Sequence, residues 1–325
     1  MNRAVACLAG LALLGLASLL FGARPGVEIA DLAALLSPPA PEDADGIVVR
    51  AMRLPRTLAA LGAGAALGAA GALIQTLTRN PLADPGLLGV NVGAGVGIVF
   101  TVWLLGPVSQ VALIPPALIG ALMVLALVWA IGAASRSPLT LILAGAALTA
   151  MLSAVLRGLI LLDPLALDVY RDWALGAVDA ARFEVITPAA PLLLLGLGLG
   201  LLAARRLDAL ALGDDLALTL GTDLARARAL TLAATGILAA SAVLAAGPLA
   251  FVGLIAPHLA RMLRAESTRA LMLSAAGCGA ALVLAADLAG RIVAPGLAIE
   301  VGLGISLIGG MFLIWRVRRL ARDPA

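Results

Sequence analysis

Few residues of this 325-residue chain have the chemistry to act on a substrate, and their spacing argues against catalysis. The one histidine, His258, precedes Arg261 in an apolar stretch interrupted by Pro248, Gly253 and Pro257. A zinc site of the HExxH type needs two histidines a helical turn apart, so that chemistry is excluded. Cys7 and Cys278 both lie in apolar runs, where a thiol packs as a small hydrophobe. All 22 basic residues are arginine, and a phosphate-binding P-loop requires its lysine, so the chain is not itself a conventional P-loop ATPase. Asp287 and Arg291 stand one helical turn apart, and the simplest role for such a pair is a local ion pair that lowers the cost of membrane insertion. No nucleophile stands beside a base. The chain is expected to be non-catalytic and to hold neither a cofactor nor a metal.

The elements that carry these residues are set by composition. At 62% hydrophobic and 13% charged, with a mean hydropathy of +1.09, the chain lies far from the soluble average of about a quarter charged. A span takes about 20 apolar residues, so the apolar blocks accommodate roughly ten. They fall near 4–22, 57–77, 87–105, 111–133, 139–162, 185–204, 229–246, 250–263, 270–289 and 301–315, and the eighth is short enough for a half-helix. Alternating strands with a polar lumen face are absent, which argues against an outer-membrane barrel. The fold class is therefore all-α and polytopic, read as a single transmembrane domain over 1–325. The first apolar run exceeds the 7–15-residue core of a secretory signal and reads as an uncleaved span. Arginines concentrate in one set of loops and acids in the other, which by the positive-inside rule puts both termini in the cytoplasm. Arg53, Arg56 and Arg291 break that rule on the outer side, and docking of an acidic partner accounts for them.

Three polar segments stand out against this background. Arg79–Gly86 is a hairpin in which Asn80 precedes Pro81 and Asp84 precedes Pro85, and proline biases its predecessor away from helix. Asp84 is placed to cap the next helix, so a tight turn on the inner face explains the segment. Residues 207–225 form an inner loop too long for a bare turn. There Asp214 can cap a short helix, Leu216 and Leu220 share a face, and Gly221 is a natural stop. An apolar face outside the membrane marks a protein contact. Third, the Pro248–Gly253–Pro257 interruption makes that helix kink or restart, with His258 and Arg261 as an anchor near the inner interface. Glycine pairs four apart, Gly64–Gly68 and Gly89–Gly93–Gly97, read as helix-packing positions.

RLPR at 53–56, Gln75 followed by TRNPLADPGLLGVNVGAG at 78–95, LALGDDLALTLG at 210–221, GPLAFVGLIAPHLAR at 247–261 and ADLAGR at 286–291 resemble signature blocks of one family. That family comprises the permease subunits of binding-protein-dependent ABC importers for ferric siderophores, heme and cobalamin, and the resemblance runs over residues 45–320. It implies a ten-span, type II importer bundle in the bacterial inner membrane. It implies pairing with a second permease subunit, identical or paralogous, and no nucleic-acid partner. A cytoplasmic ATPase dimer that uses ATP and Mg, and a periplasmic substrate-binding protein, are further implied partners. Gly213, Asp214, Asp215, Leu216, Ala217, Leu220 and Gly221 match the family's coupling helix, which seats in the ATPase. Arg53, Arg56 and Arg291 match outward arginines that pair with glutamates of the binding protein. Asn80, Pro81, Asp84, His258 and Arg261 are read as support for the inner face. Glu300 and Met311 depart from the family pattern, each standing where a proline is usual.

The expected substrate is a ferric siderophore, with heme and cobalamin as alternatives in the same family. A gradient-driven secondary transporter is the rival from another class. Such proteins place ionisable groups at mid-membrane, and only Arg157, Asp287 and His258 approach that description here.

Overall fold

Inside a bilayer every backbone N–H and C=O has to be satisfied within its own segment, and this chain does so with helices. A computed structural model describes residues 2–22, 26–36, 43–133, 138–179, 181–211, 213–219, 221–293 and 299–322. The helices are α1 (Asn2–Leu20), α2 (Ala44–Val48), α3 (Leu54–Thr78), α4 (Val90–Leu105), α5 (Ile114–Ala133), α6 (Pro138–Leu162) and α7 (Pro164–Ala174). They continue as α8 (Phe183–Ile186), α9 (Ala189–Ala211), α10 (Asp214–Thr219), α11 (Leu224–Ala246), α12 (Val252–Met262), α13 (Thr268–Val293) and α14 (Val301–Arg322). Six helical runs are long and apolar enough to cross a membrane, at 44–78, 111–131, 143–162, 183–211, 224–246 and 268–293. Three shorter apolar helices and the 11-residue α12 occupy the other segments expected to span.

Two boundaries differ from the sequence reading for physical reasons. The second span does not begin at Thr57. A continuous helical run starts at Ala44 and passes through a π-helical turn at Val49–Arg53 before α3. Pro55 has no N–H to give the preceding turn, and the wider turn lets the helix pass through it. The stretch read as an outer loop after the fifth span contains α7, which Asp163 caps by accepting from the Leu165 N–H at 3.0 Å. Proline directly after a capping aspartate is a helix-start signal that was available in the sequence.

The core sits around α3. Nearly every residue from Ala59 to Leu77 is buried, against α13 on one side, α11 and α9 on another and α12 near the hairpin. Small residues permit this. A Cβ at Gly68 would overlap the Ala275 backbone of α13, and one at Gly71 would overlap the Gly253 backbone of α12. Gly64 meets Gly279 of α13 in the same way. The expected Gly64–Gly68 pair thus packs α3 on α13, and Gly93 and Gly97 pack α4 on Gly120 and Pro116 of α5. Gly89 packs closely as well, where a Cβ would meet Val124 of α5 at 2.8 Å, and it also turns the chain into α4 at a φ of 76°.

Between α11 and α12 the helix ends and restarts, as the Pro–Gly–Pro pattern requires. Pro257 lies inside α12, and Phe251 before it adopts a left-handed φ of 63°. That phenyl ring occupies the space a side chain at Gly309 of α14 would need.

Candidate functional site

At one end of the bundle the hairpin and the short helix α10 are joined by arginine. Arg79 terminates α3 in the left-handed conformation (φ 50°), which turns the chain toward Asn80. Its guanidinium donates to the Leu210 carbonyl at the end of α9 (2.6 and 3.1 Å) and to Asp214 Oδ1 (2.6 Å). Asp214 Oδ2 accepts from Arg228 Nη2 of α11, also at 2.6 Å. One carboxylate at the first position of α10 therefore ties it to α3 and α11. Asp208 adds a further tie by accepting from the Thr268 N–H at the start of α13 (2.8 Å). Ala217 is fully buried beneath α10, while Asp215, Leu216 and Leu218 are exposed, the leucines by 54% and 56%. Gly213 and Gly221 flank α10 at φ values of 117° and 76°. Leu220 lies outside the described residues, so the outward apolar pair seen here is Leu216 with Leu218. The result is a short helix with a fixed base and a greasy outer face.

The hairpin is built as a turn. Asn80 Oδ1 accepts from the Leu82 N–H (2.9 Å), and Asp84 Oδ1 accepts from the Gly86 N–H (2.8 Å), capping a 3-10 turn at Pro85–Leu88. Gln75 Nε2 bridges the carbonyls of Ala83 and Gly253 (3.2 and 3.1 Å), so the hairpin is fastened to the start of α12. Pro85 and the Asp84 carboxylate fill the space beside Gly253. Burial there raises the Asp84 pKa from 3.8 to about 6, opposed by its bond from Gly86. A carboxyl whose folded pKa is raised binds its proton more tightly in the fold, so this site loses stability as pH climbs from about 4 to about 6. Asp84→Asn keeps the Gly86 acceptor without the charge. It is expected to raise the thermal midpoint at pH 7 and to flatten the change in midpoint between pH 4 and 6. At roughly 1.4 kcal/mol per pH unit the ceiling is about 3 kcal/mol, and a midpoint unchanged at pH 7 would refute the assignment.

At the opposite end, the three arginines expected to face outward are held by the protein itself. Arg53 is 5% exposed, and its Nη1 donates to the carbonyls of Leu19 and Leu20 (2.9 and 2.7 Å). Arg291 donates to the Ser18 carbonyl (3.0 Å), the Phe21 carbonyl (3.2 Å) and Ser18 Oγ (3.1 Å), and it pairs with Asp287 Oδ2. Arg56 closes on the other oxygen of Asp287 through Nε and Nη2 (3.0 and 2.7 Å). The last carbonyls of a helix have no partner of their own, and here α1 is capped by cations from the π-helical turn before α3 and from α13. The Asp287–Arg291 pair is the one the helical spacing predicts, and Arg56 and Arg53 add partners that it does not. RLPR is helical rather than looped, so Arg53 turns inward, and Arg56, with 24% of its side chain exposed, is the most open of the three. Of the other arginines on that side, Arg171 lies 3.5 Å from Asp168 and 3.7 Å from Asp172, and Arg50 reaches the Ala34 carbonyl (3.0 Å).

His258 is half-buried and meets Phe312 edge to face at 5.2 Å, and Arg261 is exposed one turn on. α14 starts at Val301 on the Glu300 carbonyl and runs uninterrupted through Met311. Burial, and then the neighbouring Asp179, push the Glu300 carboxyl up. Among the described residues no group of three or more His, Cys, Asp or Glu could hold a metal ion.

These blocks lie within one continuous match, to the FecCD transport family over residues 10–319. The chain belongs to the FecCD transport family. Similar relatives include the ferric enterobactin permease FepD of Escherichia coli, 42% identical over 87% of this chain and 86% of that protein. The hemin permease HmuU of Yersinia pestis is 37% identical over 82% of each chain. A solved metal-chelate type ABC transporter in an inward-facing conformation superposes with a TM-score of 0.86, at 28% identity over 98% of this chain and 99% of its own. The FecCD-family chain is thus an ABC permease, and the polytopic helical fold follows from its own helices as well. Arg79 and Arg228 were missed as partners of Asp214. The Arg79–Asp214 contact spans 135 residues of sequence, and no local spacing announces it.

Proposed function

We propose that this FecCD-family chain is the permease subunit of an ATP-driven importer that moves a ferric siderophore, or a related iron chelate, from periplasm to cytoplasm. The observation that carries the reading is α10. It is outside the spans, riveted by Asp214 to α3 and α11, and it offers Leu216 and Leu218 outward. A separate ATPase dimer seats on that face, and its closure moves α10 and, through Arg79 and Arg228, the helices behind it. ATP and Mg belong to the ATPase, and this chain holds no cofactor and does no covalent chemistry. It sits in the bacterial inner membrane with both termini and α10 in the cytoplasm, paired with a second permease subunit. At the outer end Arg56 is the arginine best placed to meet an acidic binding protein, with Arg53 and Arg291 as its buttress. The 42% identity to a ferric enterobactin permease favours a siderophore over heme or cobalamin.

The test is uptake into vesicles holding the permease and its ATPase, with the binding protein outside. ATP-dependent accumulation of a labelled ferric catecholate, exceeding that of heme or a corrinoid, is the expected result. Preference for heme or a corrinoid would replace the substrate assignment. Uptake that persists with the ATPase omitted would sink the importer reading in favour of an ion-gradient carrier.

A further inference from the structure

Between α5 and α11 lies a cavity of about 530 Å³ that the transport reading does not use. Its walls are two facing stripes at helical spacing, Leu122, Leu125 and Trp129 on α5 and Arg226, Ala229 and Ala233 on α11. The two helices close at Gly236, where the Leu125 side chain fills the space of the missing Cβ. From there to Arg226 the alanines are too small to fill the gap. The lining covers residues 122–129 of α5 and 226–233 of α11, about 11 Å of helix, which is most of one leaflet of a roughly 30 Å hydrocarbon core. Its mouth lies at the end of α11 that carries Arg226 and Arg228. Arg226 is the one charged residue of the lining, with its side chain 79% exposed and its Nε 3.2 Å from Asp223 Oδ2. Guanidinium has five N–H donors and suits a phosphate.

We propose that this slot holds one acyl chain of an anionic glycerophospholipid of the cytoplasmic leaflet, with its headgroup phosphate on Arg226. The leaflet assignment rests on the orientation proposed above. The slot itself rests only on the membrane fold. A transmembrane helix is about 10–12 Å across with its side chains, too wide for a slot whose walls touch at one end. A lipid tail is flexible and apolar enough to fill it. The lipid would also brace the segment that holds α10, because Arg228, two residues from Arg226, grips Asp214.

Trp129 lines the slot and reports on its occupant. The experiment uses the full chain in nanodiscs with Trp103, Trp173 and Trp315 replaced by phenylalanine, and phospholipids brominated on their chains at low mole fraction. Quenching by brominated phosphatidylglycerol is expected to exceed that by brominated phosphatidylcholine about fivefold, the preference one arginine gives at an anionic surface. Arg226→Gln should bring the ratio close to one, and Ala233→Phe should reduce quenching by both lipids. A chain keeping only Trp103, near the other end, should show no preference. Equal quenching of Trp129 by the two lipids, or a ratio untouched by Arg226→Gln, would mean annular contact only and overturn the proposal. Native mass spectrometry of the unaltered chain gives a second readout. Retained phosphatidylglycerol that disappears in Ala233→Phe supports the site, and retention unchanged in that variant rejects it.

Discussion

Asp287→Ala is expected to cost this protein more stability than any other single change to its polar residues. The carboxylate is 1% exposed and holds Arg56 on one oxygen and Arg291 on the other. Removing the acid leaves two cations facing each other at the edge of the apolar region. Breaking a buried pair from one side costs about 3–5 kcal/mol, a large part of the 5–15 kcal/mol that typically separates folded from unfolded chains. Arg56 is partly open to solvent, which places the effect toward the lower figure. A fall in yield and thermal midpoint in detergent is the measurement. Faster proteolysis near α1 should accompany it, since Arg291 would no longer be positioned against the Ser18 and Phe21 carbonyls. Exchanging the cluster together (Asp287→Leu, Arg56→Met, Arg291→Met) should recover much of the loss, because no uncompensated charge remains. A midpoint unchanged in Asp287→Ala would show that the arginines do not need the acid.

The second large effect is functional and leaves the fold alone. Leu216→Asp with Leu218→Asp changes two side chains more than half exposed, so yield and midpoint should stay as they are. On the proposed seating, each leucine buried against the ATPase would contribute about 1.5–3 kcal/mol, and each 1.4 kcal/mol is tenfold in affinity. Co-purification of the ATPase and ATP-driven uptake should therefore drop by more than about tenfold. Ala217→Asp is the contrasting variant, since that position is fully buried and the charge should damage the fold instead. Full uptake in the double aspartate chain would move the ATPase contact away from α10.

What the sequence made readable was local in kind. Gly64 and Gly68 announced a close helix pair through spacing alone, and α13 is indeed against them. Asp84 announced a cap because proline follows it, and Asp287 with Arg291 announced an ion pair because a helical turn separates them. Arg56 joins that same aspartate from 231 residues away, which no periodicity encodes. Arg53 was harder still, because its partners are backbone carbonyls of α1, which carry no side-chain signature. The outward leucines of α10 needed a backbone path to sort them. The helical-wheel expectation paired Leu216 with Leu220, which lies outside the described residues, and the described helix shows Leu218 exposed beside Leu216 over a buried Ala217.

The burial of α3 bears on how this bundle can move. Its most apolar stretch is 78% buried, as is that of α11, whereas the corresponding stretches of the runs at 111–131 and 143–162 are only 22% and 17% buried. Along α3 the contacts at Gly64, Gly68 and Gly71 are backbone against backbone, with no side chain to act as a bearing. A helix seated that way cannot slide or roll without parting from both α12 and α13 at once. If the chain moves its substrate as proposed, α3 is the fixed keel about which it opens and closes, and the less buried α5 and α6 are the planks that shift.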